Sequence, residues 1–293
     1  MNCINKHRFT NGCAVRILDF SEIQSQAQEE ENTMHPEWQR ICNEFLQATS
    51  YAVGDLEEGW AAKYDFDKRP PTYMRYDDAV VRIPLGPREL PPSPDLWELM
   101  KNRRSRRNFL CEPMTLNELN ILLWGTQGIT ADMGDYQIRA TPSAGALYPI
   151  ETYLLVNNVE GLEKGLYHLD VEEWCLEGLK LEDVSETAYA LTENQEMTRR
   201  AAVNFVWTAV VNRTRHKYRE RAYRYIWWDA GHVAQNLHIA ANGLGLGVST
   251  IGHWFDKEMN EYLGIDGQEH LSVLMASVGK VEGKDWLHDR RPR

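Results

Sequence analysis

The chain has 293 residues and a formal net charge of −11, enough length for a large core but no basic surface to hold a polyanion, which excludes nucleic-acid binding. Its five cysteines (Cys3, Cys13, Cys42, Cys111, Cys175) are odd in number, widely spaced and without a CxxC pair. That argues against a disulfide framework or a zinc site and suits a reducing cytoplasm. The charged N-terminus has no apolar signal core, and no apolar run reaches the roughly 18 residues of a membrane span, so neither export nor membrane insertion is expected.

Residues 1–94 read as an N-terminal extension and residues 95–293 as the main domain. The extension holds an acidic polar stretch at Gln28–Asn32, a helical block from Glu37 to Ala48, and the proline-rich connector Pro84–Pro94. Beyond it, Leu96–Asn102 is helical. Thr115 is an N-cap with Glu118 at the capping-box position, for a helix reaching about Thr126. Thr152–Val156 is a strand, and Leu166–Leu169 with Trp174–Leu176 forms a hairpin. Ala202–Val211 is a second buried strand. A long helix then runs from Tyr218 to Asn242, with Gly243 as its left-handed cap. Val248–Ile251 and Ser272–Val278 are further strands, separated by a helix over Asp256–Leu263. The pattern defines an α+β class with a central sheet and one long interior helix.

On that long helix Ile226, Ala230, Val233, Ala234, Leu237, Ala240 and Ala241 keep helical spacing, and Ala230, Gly231 and Ala234 make one face small. A core helix is the simplest reading, and a subunit interface is another. His232 and His238 are six residues apart, which is not a single-face metal spacing, so no metal is expected. Gly243–Gly247 follows a helix and precedes a strand, the reverse of a dinucleotide loop, and reads as a helix stop. Ten Trp and thirteen Tyr suit a planar ligand as well as an aromatic core.

The segment Arg103-Arg104-Ser105-Arg106-Arg107 carries the first chemical signal. In an extended backbone Arg103, Ser105 and Arg107 project to one side. Two forked guanidiniums and a hydroxyl there form a receptor for a phosphate dianion, and so for a phosphorylated cofactor.

That segment, then TPSAGALYP (141–149), GLEKGLYHLD (161–170), the block from His216 to Gly247, and LSVLMASVGK (271–280) follow one another in an order that resembles SagB-type dehydrogenases. These are nitroreductase-like flavoproteins associated with thiazole and oxazole formation in ribosomal peptide natural products. The resemblance covers about residues 95–280, with a looser likeness at Phe45–Thr49 and Thr72–Leu85. It implies a nitroreductase-like fold, with a mostly antiparallel central sheet surrounded by helices, in a homodimer that binds FMN at the subunit interface. By position, Arg103, Ser105 and Arg107 would hold the FMN phosphate, ribityl chain and pyrimidine edge. Pro142, Ser143, Ala144 and Gly145 would lie against the isoalloxazine, and the backbone at Ile251 and Gly252 would meet its redox-active edge. Lys280 or the tail arginines Arg290, Arg291 and Arg293 would add phosphate charge.

The resemblance also singles out Lys217-Tyr218 for the proton-transfer half of azoline oxidation. The dense arginines Arg213, Arg215, Arg219 and Arg221 would lower the pKa of either group. By pattern alone the stretch Arg213–Arg224 is a charged, solvated helix start. The implied activity is FMN-dependent dehydrogenation of an azoline in a small molecule or modified peptide, alongside partner biosynthetic enzymes. Two alternatives stand beside it: an NAD(P)H-dependent nitro or quinone reductase, and a non-catalytic scaffold that binds a peptide-modifying partner.

Overall fold

The computed structural model of the chain describes residues 35–51, 70–134 and 136–282. The acidic stretch Gln28–Asn32 and the tail arginines lie outside the described residues. The chain divides into two compact units, residues 1–47 and 48–293. Helix α1 (Pro36–Ala48) represents the first; a proline and Glu37 open it, and Arg40 pairs with Glu44 at 2.6 Å one turn on.

In the second unit the elements begin with β1 (Val81–Pro84), α2 (Leu96–Asn102), α3 (Leu116–Gln127), β2 (Ile129–Asp132) and β3 (Gln137–Arg139). β4 (Ile150–Val156), β5 (Gly165–Asp170), β6 (Cys175–Lys180), α4 (Ser185–Leu191), α5 (Glu196–Arg200) and β7 (Val203–Val210) follow. The last are α6 (Val211–Tyr218), α7 (Ala222–Gly243), β8 (Gly247–Ile251), α8 (Asp256–Leu263) and β9 (His270–Gly279). Seven strands form one sheet in the order β1-β6-β5-β4-β7-β9-β8, every neighbouring pair antiparallel, while β2 and β3 form a separate ribbon. The strand β1, from the stretch before the proline-rich connector, is the edge of that sheet.

Strand periodicity explains the layers. Leu154 and Val156, Phe205 and Trp207, and Ala276 and Val278 point to one face, where α3 and α7 cover them. Tyr153 and Leu155, Val206 and Met275 point to the other, where α4 and α8 lie. Leu237 of α7 is fully buried, so truncating it to alanine would cost about 2–5 kcal/mol. The capping box starts α3 as its sequence predicts: Thr115 Oγ1 accepts from the Glu118 N–H at 3.1 Å, and Glu118 Oε2 accepts from the Thr115 N–H at 2.8 Å.

The long helix departs from expectation. Its pattern predicts one run from Tyr218, whereas the backbone breaks at Arg219 (φ +50, ψ −134) and turns through Arg219–Arg221. Lys217 and Tyr218 therefore end the short helix α6 instead of starting the long one, and Val211, expected in a strand, begins α6. The left-handed residue after α7 is Gly245 (φ +72), not Gly243, which is still helical; the Leu246 N–H then reaches the Ala241 carbonyl at 2.8 Å.

Candidate active site

Helix α7 positions everything that follows. Asn242 Nδ2 donates to the Leu99 carbonyl at 3.0 Å and so holds the end of α2. Asn236 Nδ2 donates to the Gly125 carbonyl at 2.9 Å and holds α3. Asp229 and His238, nine residues apart and so about 14 Å along the axis, each lie beside one of the predicted binding segments.

At the first, α2 ends where Arg103 takes ψ 123. The chain continues extended beside β8, with the Arg106 N–H on the Val248 carbonyl at 2.9 Å. Gly247 makes room for this crossing, since a side chain there would run into Val281 Cγ1 and approach Arg106 Cβ at 3.3 Å. Side chains then alternate. Arg104 donates to the Lys101 and Arg103 carbonyls (3.0 and 2.7 Å) and Arg106 to the Glu282 carbonyl (2.6 Å), whereas Ser105 and Arg107 are exposed and Arg103 is half-buried. Arg103 acts electrostatically on His238. Burial and then that charge push the His238 imidazole down to about 4, so it is neutral at physiological pH. Its Nε2 bonds Thr250 Oγ1 at 2.8 Å, and its buried Nδ1 has no hydrogen-bond partner among the described residues.

The second segment is the turn through Ser143–Tyr148. Asp229, 3% exposed, accepts from Ser143 Oγ at 2.6 Å and from the Ala144 N–H at 3.2 Å, while Ser143 Oγ accepts from the Tyr148 N–H at 3.0 Å. The Ser143 hydroxyl is thus committed to bracing its own turn. Burial raises the Asp229 pKa, and the bonds from Ser143 and Ala144 oppose that shift. Gly145, Ala146 and Tyr148 all have positive φ (65, 53 and 46). Such strain in non-glycine residues costs about 1–3 kcal/mol each and persists where surrounding bonds over-determine the backbone. Pro142 and Gly145 remain exposed.

A methyl group added to Gly145 would stand 2.6 Å from Tyr218 Oη and 3.0 Å from Lys217 Nζ. The fold thus brings the Lys-Tyr pair onto the turn, a meeting of residues more than 70 positions apart in sequence. The Tyr218 ring packs on Tyr225 at 4.6 Å, and Tyr225 meets Trp228 edge-on at 5.3 Å. The neighbouring arginines are placed differently from what their density suggests. Arg213 is buried on Glu151, Arg215 pairs with Glu269 at 2.5 Å, and Arg221 donates to the Thr49 carbonyl at 3.1 Å and stacks on Tyr51 at 4.6 Å. Carboxylates neutralise part of the positive field expected there.

Ile251 buries its side chain in the second core, so its backbone and the exposed Gly252 form the β8 end. Next to them His253 Nε2 contacts Glu193 Oε2 at 2.5 Å on the surface. Lys280 pairs with Glu118 of the α3 capping box rather than joining the arginine segment. No cluster of metal-ligating side chains occurs among the described residues, and no helix among them is long and apolar enough to cross a membrane.

Three features suit FMN: exposed Ser105 and Arg107 beside half-buried Arg103, the unpaired buried Nδ1 of His238, and a glycine turn with no side chain between its backbone and the Lys-Tyr pair. Asp229, the brace of that turn, escapes motif reading. Its signal is an acid at position i+3 from Ile226 and i−4 from Val233, on the apolar stripe of the helix.

An antiparallel sheet clad by helices on both faces, crossed at its β8 edge by an extended Arg-Ser-Arg segment, defines a nitroreductase-type fold. The chain belongs to the Nitroreductase family, whose model matches residues 100–280. A protein of Methanocaldococcus jannaschii named as a nitroreductase, MJ1384, is 34% identical over 187 residues, which cover 64% of this chain and 92% of the relative. The trifolitoxin-processing protein TfxB of Rhizobium leguminosarum is 34% identical over 123 residues, 40% of this chain and 32% of TfxB. Among solved structures, one from Anabaena variabilis described as a nitroreductase aligns with a TM-score of 0.61 at 30% identity, over 72% of this chain and 44% of that one. The chain therefore spans less than two thirds of TfxB and of the Anabaena protein. A chain of the Escherichia coli microcin synthetase complex McbBCD, solved with truncated pro-MccB17 bound, shares the fold (TM-score 0.54, 20% identity, 92% of this chain and 100% of that one).

Proposed function

We propose that this protein is an FMN-dependent dehydrogenase that oxidises an azoline ring of a modified peptide to the aromatic azole. In this reading it works in the cytoplasm as a homodimer with flavin at the subunit interface, beside other peptide-modifying enzymes. The observation that carries the reading is the placement of Lys217 Nζ and Tyr218 Oη against the Gly145 turn. Family membership and the relative TfxB, named a trifolitoxin-processing protein, support it. Bound FMN supplies a two-electron acceptor for the substrate hydride. Arg103, Ser105 and Arg107 would hold its phosphate end, and the backbone at Pro142–Gly145, Ile251 and Gly252 would line its ring. Lys217 Nζ or Tyr218 Oη takes the proton from the azoline Cα, and the Tyr225 ring packed on Tyr218 steadies the phenol.

The test is turnover of an azoline peptide by Lys217→Ala and Tyr218→Phe, with the flavin absorption spectrum recorded in parallel. A lost proton acceptor lowers kcat by about 100- to 10,000-fold while the spectrum is kept. Full activity in both variants ends the proton-transfer assignment. The similarity to MJ1384 favours a second reading, reduction of a nitro or quinone substrate by NAD(P)H. Rapid bleaching of the flavin by NAD(P)H selects that reading, and indifference to nicotinamide selects the first.

A further inference from the structure

A line of buried ionised side chains lies behind the candidate site, and the proposed chemistry leaves it unused. Both ring nitrogens of His168 on β5 face carboxylates: Nε2 lies 3.1 Å from Glu151 Oε2, and Nδ1 lies 2.9 Å from Glu177 Oε2. Ionised carboxylates only accept hydrogen bonds, so an imidazole that satisfies both contacts carries two protons and a positive charge. The other oxygen of Glu151 accepts from Arg213 Nη1, which also donates to the Tyr148 carbonyl at 3.1 Å. Arg213 Nε donates to the Pro71 carbonyl at 2.7 Å. At the far end Glu177 pairs with Arg82 at 2.7 Å and accepts from the Tyr76 N–H at 3.1 Å. His168 is fully buried, and Glu151 and Arg213 are each 3% exposed.

Arg213 precedes Lys217 by four residues, so the two share one face of α6. That face meets the strained turn twice, Arg213 at the Tyr148 carbonyl and Lys217 at Gly145. The two contacts lie one helical turn apart on α6, which ends one residue after Lys217 before the break at Arg219. We infer that Glu151 and His168 are positioning residues for Lys217-Tyr218, and that the buried chain His168–Glu151–Arg213 sets how closely α6 stands against the Gly145 turn. The consequence for turnover rests on the dehydrogenase reading; the positional claim does not.

The experiment is residue-resolved acetylation of native full-length protein with acetic anhydride, followed by peptide mass spectrometry, for wild type, His168→Gln and Glu151→Gln. Lys280, half-buried on Glu118 and outside the chain, is the internal reference. The inference expects Lys217 to react several-fold faster in both variants while Lys280 keeps its rate. An unchanged Lys217 rate overturns it, and so does equal acceleration of Lys217 and Lys280, which reports general loosening. Should these variants not fold, Arg213→Lys keeps the charge but loses the planar fork that joins Glu151, Tyr148 and Pro71, with the same expectation. Failure of all three to fold also overturns it, because the chain is then a condition of folding. Azoline turnover by wild type tests the functional reading separately, and its failure leaves the acetylation result standing.

Discussion

Replacing Gly145 with alanine separates backbone strain from active-site geometry. At φ +65 any L-residue is disfavoured by about 1–2 kcal/mol. At 2–4 °C per kcal/mol for a domain of this size, the thermal midpoint would drop by about 2–8 °C. The added methyl would also stand 2.6 Å from Tyr218 Oη, so the hydroxyl must retreat by about 0.8 Å to reach ordinary contact. The two nearest atoms, Tyr218 Oη and Lys217 Nζ, lie at the ends of side chains rather than on backbone, so they yield without unfolding the turn. Misplacement of a reacting group by about 1 Å can cost on the order of 100-fold in rate, so Gly145→Ala should lose one to two orders of magnitude in azoline turnover. Gly264→Ala is the control: its φ of +75 imposes the same backbone strain, and a methyl there meets nothing within 4 Å. The assay pairs differential scanning fluorimetry with turnover for both variants. Equal turnover in the two would refute the placement of Lys217 and Tyr218 at the reaction centre.

Asp229→Asn removes the charge that holds Ser143 and Ala144, and a loss of about 1–3 kcal/mol in chemical-denaturation stability is expected together with weaker flavin uptake. Wild-type stability and uptake would show that the turn stands without this brace. Arg107→Gln should raise the dissociation constant for FMN by about 10- to 100-fold, the worth of one charge-assisted hydrogen bond, and added salt should narrow the difference. Titration of apoprotein by flavin fluorescence measures it, and an unchanged constant removes Arg107 from the phosphate site. A pH effect follows from His168. Burial, the largest single influence, would lower its pKa, but the hydrogen bonds and negative charges of Glu151 and Glu177 together outweigh it and raise the pKa above 6.5. Its contribution is complete below 6.5 and is lost as pH rises through the raised value, so the thermal midpoint should fall on the alkaline side, and His168→Gln should flatten that limb. Glu151 works in the opposite sense. Burial raises its pKa, yet Arg213, His168 and Arg139 together bring it to about 2, so its contribution is complete above 4.5 and is lost as pH falls from there through about 2. An alkaline limb that is identical in His168→Gln would show that the imidazole is not charged in the fold.

Local rules explain where the sequence was readable. The capping box at Thr115 and Glu118, the apolar runs of β4 and β7, and helix α8 over Asp256–Leu263 depend on residues a few positions apart, and each appears within a residue or two of expectation. The break at Arg219 depends on distant residues instead: Arg221 and Arg224 bond Thr49, more than 170 positions away. The polar stretch Arg213–Arg224 carries no glycine or proline at Arg219, so nothing local marks the break. Asp229 was readable in principle, as an acid on an apolar stripe whose burial obliges a partner. Arg213 was not. Among Arg213, Arg215, Arg219 and Arg221, residue type cannot show which one enters the core beside Glu151 and which stay near solvent.

That distinction changes the reason to assign proton transfer to Lys217-Tyr218. In sequence, the case rests on an electric field, with crowded arginines favouring the deprotonated form of a nearby base. In the fold, Glu151 and Glu269 take up two of those arginines, and Arg221 turns to Thr49 and Tyr51. What remains is contact: an ammonium and a phenol held against a glycine turn by one short helix, itself fixed at the Tyr148 carbonyl one turn earlier. A field would tolerate small movements of α6, because Coulomb energy varies slowly with distance. Contact does not, and this is why a single methyl at Gly145 and a single amide at His168, both reaching α6 through that one face, are expected to disturb the same two side chains.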